Sequence, residues 1–281
     1  MVELSAGDSP GDPRRDCGGD TFNTAVYLAR AGLDVGYLTR LGDDSASDEI
    51  VERMQLEGID TSAVTRCAGR EPGRYTIDNG PGGERRFTYA RDRSPARELF
   101  RQVPRLPDLD LFYFTGITLA ITREDLDKLL HLLEDLREKH CRIVFDPNYR
   151  SALWRDRDEA RRHYQAVLPL CHTALPTLED EAALWDISGA EQCRALFADH
   201  GIEEIIIKGD DLVTHAFLRE ETLERRASAV TAVDTTGAGD AFNAGYLAAR
   251  LSGCDLDTAV TRAQQLASDV VQHRGAILPR A

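Results

Sequence analysis

The 281-residue chain contains no apolar run near the roughly 18 residues of a membrane span. Its opening residues, 1–16, lack the apolar stretch of a secretory leader. Both absences point to a cytoplasmic protein without a membrane partner. Positive charge is also in deficit, with 34 Lys and Arg against 48 Asp and Glu and a formal charge of −14. Nucleic acid needs a basic surface, so no such partner is expected, although a local arginine can still hold a small anion. No C-x-x-C pair occurs. The six cysteines (Cys17, Cys67, Cys141, Cys171, Cys193, Cys254) are scattered, which reads as thiols in a core rather than disulfides or zinc ligands. The seven histidines show no H-x-x-x-H spacing, so ligation of a metal by histidine is not expected. Internal repeats and low-complexity segments are missing as well.

What remains is a chain with 42% hydrophobic and 29% charged residues, enough to build a sizeable core. Short apolar runs at 111–115, 142–145, 173–175 and 204–208 alternate with amphipathic stretches at 124–138, 157–168, 179–185 and 190–199. That alternation predicts βαβ units and a parallel sheet. Two further helices are expected at 239–251 and 256–272. Residues 33–95 differ: short alternating segments at 35–41, 63–66, 74–78 and 84–90 surround the hairpin signal Asn79-Gly80-Pro81-Gly82-Gly83-Glu84. They predict a small inserted β-sheet that covers a cleft or pairs with another subunit. Residues 6–16 read as a loop.

Two segments carry chemistry. In Val233-Asp234-Thr235-Thr236-Gly237-Ala238-Gly239-Asp240, a strand-like stretch at 229–233 runs into a glycine turn that opens a helix. Small residues let the backbone close, so that N–H groups and the helix dipole face one anion. The G-K-[ST] ending of a Walker A loop is missing, and the G-A-G-D spacing is not that of a dinucleotide fingerprint. Asp240 adds a carboxylate beside the anion hole, the arrangement needed for phosphoryl transfer to a hydroxyl. An Asp that only stabilises a helix start fits the local pattern equally well. In the second segment, Cys17-Gly18-Gly19-Asp20-Thr21-Phe22-Asn23, two glycines precede a helix capped near Asp20. Gly18 and Gly19 permit close backbone approach to a ligand, and Asn23 can hydrogen-bond a polyol. An ordinary capped helix is the competing reading. Arg91 follows Tyr89 by two residues, so both side chains face one side of a strand, and Arg150 follows a buried strand where α/β sheets bind ligands. Guanidinium forks suit a carboxylate; a solvated charge is the alternative for Arg91, given Arg85, Arg86 and Arg93 nearby. Trp154 and Trp185 read as core.

GGDTFNTAVYLARAG at 18–32 resembles the N-terminal signature of the ribokinase-like (PfkB-type) carbohydrate kinases, and DTTGAGDAFNAGYLAARL at 234–251 resembles their C-terminal one. Within that family, FDPNYRSALW at 145–154, ERRFTYAR at 84–91 and RGAILPR at 274–280 resemble the 2-keto-3-deoxygluconate kinase subgroup. The resemblance implies a doubly wound, mostly parallel α/β domain spanning 1–281 with a β lid drawn from residues 33–95. It implies transfer of the ATP γ-phosphoryl, with Mg²⁺ and possible use of a monovalent cation, to the C6 hydroxyl of a sugar acid. Asp240 would be the base, and Gly237, Ala238 and Gly239 the anion hole. Gly18, Gly19 and Asn23 match sugar-binding positions; Tyr75, Tyr89, Arg91 and Arg150 match those that hold the acid. Lys208 and Gly209, with Gly237 and Gly239, would serve the nucleotide, and the lid implies a homo-oligomer. Three departures accompany this. Met1-Val2-Glu3-Leu4-Ser5 resembles the stretch after the family's first central strand, so that strand is expected to be absent. Thr177-Leu178-Glu179-Asp180 replaces the usual Asn-x-x-Glu near the metal site, and the loop Lys208-Gly209-Asp210-Asp211-Leu212 is short. A fructokinase or ribokinase type and a catalytically weak sugar-binding protein stay as alternatives; Asp240 and its glycines argue against the last.

Overall fold

A computed structural model describes residues 1–5, 14–79, 85–103, 105–209 and 211–280. The chain divides into two compact units, Met1–Arg105 and Leu106–Ala281.

In the first unit, β1 (Val2–Ser5), β2 (Arg14–Cys17), α1 (Asp20–Arg30), β3 (Thr39–Leu41), α2 (Ser45–Leu56), β4 (Val64–Arg66), β5 (Arg74–Asn79) and β6 (Arg85–Ala90) follow one another. The small sheet has the order β2-β1-β5-β6, with β1 parallel to β5 and the other two pairings antiparallel. It therefore differs from the sheet expected from 33–95 alone. Two of its strands come from the N-terminal stretch, and β3 and β4 pair separately and in parallel. Part of the expected loop at 6–16 is strand, because residues 14–17 find a long-range partner in β1; residues 6–13 lie outside the described residues. So do residues 80–84 of the hairpin signal, yet the flanking strands pair as that signal requires, with Asn79 opposite Arg85. Helix α1 starts with Gly19 rather than Asp20 in the capping position, at φ 144°, and Asp20 adds its charge to the first turn.

The second unit holds β7 (Leu111–Thr115), α3 (Gly116–Ile121), α4 (Leu126–Glu138), β8 (Arg142–Asp146), α5 (Arg157–Val167), β9 (Thr173–Ala174), α6 (Leu178–Trp185), α7 (Ala190–Ala198), β10 (Glu204–Lys208), β11 (Val213–Leu218), β12 (Glu221–Arg226), α8 (Ala238–Leu251) and α9 (Leu256–Val271). The sheet order is β12-β11-β10-β9-β8-β7, parallel from β7 to β10 and antiparallel beyond. The expected α/β body with its mostly parallel sheet is present. Its inner strands are continuous apolar runs (Ile143, Val144, Phe145; Ile205, Ile206, Ile207), as burial on both faces demands. The β11–β12 hairpin was not legible in the sequence, since its polar alternation, with Glu221, Glu224, Arg225 and Arg226, resembles a solvated loop. Residues 229–233 are not a strand: the Val233 and Asp234 amides both bond the Val271 carbonyl, at 2.7 and 3.1 Å, outside any ladder. Asp156 and Asp255 cap α5 and α9 through the Glu159 and Thr258 amides, at 2.7 and 2.8 Å.

Trp154 is core, packed on Tyr164 at a 5.9 Å ring separation, while Trp185 is partly exposed. All six cysteines are free thiols; Cys141, Cys171 and Cys193 are buried, and burial pushes the Cys141 thiol up to about 11.

Candidate active site

The glycine turn at 234–237 is held from both sides. Asp234 is buried; its Oδ1 accepts the Thr236 amide (3.1 Å) and hydroxyl (2.8 Å), and its Oδ2 accepts the Gly275 amide at 2.6 Å. Gly237 caps α8 in the left-handed region at φ 76°, where a side chain is strained, and an added Cβ would lie 2.6 Å from that of Ala276. The helix then starts at Ala238, with Gly239 exposed and nothing within 4 Å of where its Cβ would be. Asp240 sits half-buried in the first turn. A helix start leaves N–H groups without intrahelical partners, so this turn can offer an anion amides and a carboxylate beside them, although the Ala238 amide already makes a long bond, 3.3 Å, to the Thr235 carbonyl. The glycine turn and the helix start are local and were legible in the sequence; the Asp234–Gly275 bond and the packing of Gly237 on Ala276 come from a distant part of the chain and were not.

Behind Asp240 lies a polar cluster that the sequence reading missed. The Lys208 ammonium, at the end of β10, donates to Asn243 Oδ1 at 2.9 Å and faces Asp146 Oδ1 at 3.4 Å. Asn243 Nδ2 donates to Asp146 Oδ2 at 2.9 Å and to the Tyr113 hydroxyl at 3.1 Å. Asp146 and Asn243 are buried, and the Lys208 side chain is 12% exposed. Lys208, expected at the nucleotide, thus points its charge inward. The one available hint was spacing: Asn243 is three residues past Asp240, on the same helix face. Gly209 closes the turn into β11, its amide bonding the Val213 carbonyl at 2.9 Å; Asp210 lies outside the described residues.

Arg150 opens onto a cavity of about 360 Å³ lined by Tyr149, Ser151, Arg157, Glu179 and Asp180. It already has a partner within the chain. One guanidinium nitrogen reaches both Asp180 oxygens, at 2.9 and 3.1 Å, with half the side chain exposed. Burial raises the Asp180 pKa, with Arg150 opposing the shift.

In the first unit, Tyr75 on β5 stands directly opposite Tyr89 on β6, with ring centres 5.9 Å apart. The Arg91 guanidinium lies 4.3 Å from the Tyr89 ring centre, so Tyr89 and Arg91 do share a side. Desolvation lowers the Arg91 pKa, and it forms no salt bridge among the described residues. The buried Tyr75 hydroxyl donates to Glu3, a residue the sequence reading did not single out; burial and then Glu3 push its pKa up. Gly18 is pressed against that hydroxyl, which leaves no room for a Cβ. Asn23 is buried in the first turn of α1, its amide bonding the Gly19 carbonyl at 2.8 Å.

Residues 6–281 match the pfkB family carbohydrate kinase. The chain is similar to the 2-dehydro-3-deoxygluconokinase of Escherichia coli K12, 38% identical over 295 residues that cover 100% of this chain and 95% of the relative. A similar enzyme of the same name from Dickeya dadantii 3937 is 37% identical over 294 residues, covering 99% and 94%. Among solved structures, the aminoimidazole riboside kinase of Salmonella enterica, complexed with aminoimidazole riboside and an ATP analogue, superposes with a TM-score of 0.86 at 25% identity over 98% of this chain and 91% of that one. The fold is ribokinase-like, and with relatives matched along nearly their whole length this chain belongs to the pfkB family of carbohydrate kinases.

Proposed function

We propose that the chain phosphorylates 2-dehydro-3-deoxygluconate at its C6 hydroxyl with ATP, giving the 6-phosphate and ADP. The observation that carries this is the first turn of α8, where Asp240 adjoins the amides of a Gly237-Ala238-Gly239 turn. The likeness to 2-dehydro-3-deoxygluconokinases supports the choice of substrate. The amides of Gly237, Ala238 and Gly239 hold phosphate oxygens as negative charge shifts to the leaving ADP. Asp240 takes the proton from the C6 hydroxyl as its oxygen bonds phosphorus and the bond to the β,γ-bridging oxygen breaks. Gly18, Gly19 and Asn23 bind the sugar chain. Tyr75, Tyr89, Arg91 and Arg150 hold the acid end, and Gly209 brings the loop after β10 to the nucleotide.

Mg²⁺ supplies charge neutralisation on the transferring phosphates when bound. Among the described residues no group of three His, Cys, Asp or Glu gathers to hold a metal. The reading includes a cytoplasmic setting, where ATP is available, and a homo-oligomer that pairs the four-stranded sheets, to be checked by light scattering. No helix among the described residues is long and apolar enough to cross a membrane.

A coupled ADP assay with 2-dehydro-3-deoxygluconate, fructose and ribose tests the proposal; the acid is expected to have the highest kcat/KM. Asp240→Asn should lose about 10²–10⁴-fold in kcat and keep its fold, because an amide cannot accept the proton. Retention of more than about a tenth of kcat would remove Asp240 from the mechanism.

A further inference from the structure

We infer that Lys208 is a positioning residue for Asp240, acting through Asn243 and Asp146, and is not a nucleotide ligand. The inference rests on the reading of Asp240 as the base.

Donor and acceptor chemistry fixes the cluster in one arrangement. An ammonium can only donate, so it must face the amide oxygen of Asn243, at 2.9 Å. An ionised carboxylate can only accept, so Asp146 must face the amide nitrogen, also at 2.9 Å. A flipped Asn243 would set its nitrogen against Lys208 and its oxygen against Asp146, losing both bonds. The side chain is therefore locked by opposite charges on either side, with the Tyr113 hydroxyl as a second acceptor at 3.1 Å. The contacts come from the last residues of β8 and β10 and the middle of β7, and converge on one residue of α8.

Asn243 follows Asp240 by three positions, so the two share a helix face. A helix whose second turn is locked to the sheet cannot rotate or slide at its first turn without breaking that lock. Gly237, against Ala276, holds the same turn from its other side. The azimuth of the Asp240 carboxylate and the height of the amide cradle are thereby set by the charge of Lys208. A buried ion pair of this kind contributes little net stability compared with apolar residues; its role here is to fix the orientation of Asn243 through one donor and one acceptor. Displacement of a reacting group by about 1 Å can cost roughly 10²-fold in rate.

The test is Lys208→Met, measured by kcat, the KM for ATP, the Kd for ADP by calorimetry and a circular dichroism melt. The expected result is kcat lowered at least about tenfold, with the KM for ATP and the Kd for ADP within about twofold and a folded protein. A tenfold rise in the ADP Kd with kcat intact would make Lys208 a nucleotide ligand and overturn the inference. Unchanged kinetics with a lower Tm would reduce the cluster to a structural one and also overturn it. If Lys208→Met does not fold, Tyr113→Phe decides. It removes one acceptor from Asn243 and should lower kcat about threefold or more at constant KM for ATP, and an unchanged kcat rejects the inference. Asp240→Asn is run alongside. If it is inactive while Lys208→Met is normal, only the inference fails; if it is active, the reading of the base fails first.

Discussion

Arg91 and Arg150, both proposed to hold the substrate carboxylate, differ in their surroundings. Arg91 is partly desolvated, stacked on Tyr89 and without a salt bridge among the described residues; Arg150 is half exposed and already paired with Asp180. A ligand carboxylate gains a full charge-assisted bond at Arg91, but at Arg150 it must share or displace Asp180. Arg91→Ala should therefore raise the KM for 2-dehydro-3-deoxygluconate about 10–100-fold, the equivalent of ~1.5–3 kcal/mol for a hydrogen bond to a charged group. Arg150→Ala should raise it about fivefold or less, as for a solvated pair. Neither change should alter the KM for ATP. A larger effect from Arg150→Ala would move the acid site to the cavity beside Asp180. The sequence named both arginines by type and place. Asp180 lies thirty residues from Arg150 in the chain, and only folding shows that it answers one of them.

Helix α6 carries a feature no periodicity reveals. Glu181 is fully buried, and neither oxygen has a well-formed hydrogen bond. Burial pushes its pKa well above the usual carboxylate range; Asp180 and Asp146 reinforce the shift, while the Trp185 indole and Lys208 oppose it. Tyr164 and Cys193 also face it. Above the ordinary value of 4.5 the unfolded chain releases this proton while the folded protein keeps it. The unfolded state then binds fewer protons, so stability falls as pH rises through that window. Glu181→Gln removes the titration. The slope of Tm against pH between about 5 and 8 should be flatter in the variant, by ~3 °C or more across the range. Parallel curves would mean that Glu181 titrates alike in both states. On a helical wheel Glu181 is one charge among Glu179, Asp180 and Glu181, and its burial depends on how α6 seats in the unit.

At the scale of the whole molecule, β10 and α8 act as one piece. Helix α8 runs back along β10 and is clamped at both ends of the strand, with the apolar Ile205, Ile206 and Ile207 between. Lys208 takes Asn243 at one end. At the other, buried Glu204 accepts the Tyr246 hydroxyl at 2.6 Å and Arg250 Nε at 2.8 Å, and it also binds Thr173 at 3.0 Å and the Arg142 guanidinium. Glu204 thereby joins β8, β9, β10 and α8. Glu204→Leu strands Arg142 and Arg250 and should cost about 3–5 kcal/mol, a fall in Tm on the order of 10 °C. Well below the new Tm, kcat should change less than about threefold, since this clamp lies at the end of the strand away from Asp240. An unchanged Tm would show that the cluster contributes nothing.

The sequence by itself determined the alternation of strand and helix, the glycine turn with Asp240, the glycine pair before α1 and the family. Each is written within a few neighbouring residues, where backbone sterics, turn chemistry and side-chain period act. Tertiary structure alone decided that residues 14–17 join β1, that residues 229–233 stay out of the sheet, that Lys208 turns inward, that Arg150 is paired and that Glu181 is buried. Each of these depends on a partner brought from elsewhere in the chain, as when Lys208 meets Asp146 and Asn243. A charge reads the same in a sequence whether water or a buried carboxylate will receive it; only packing supplies the partner and the low-dielectric surroundings that give the pair its effect.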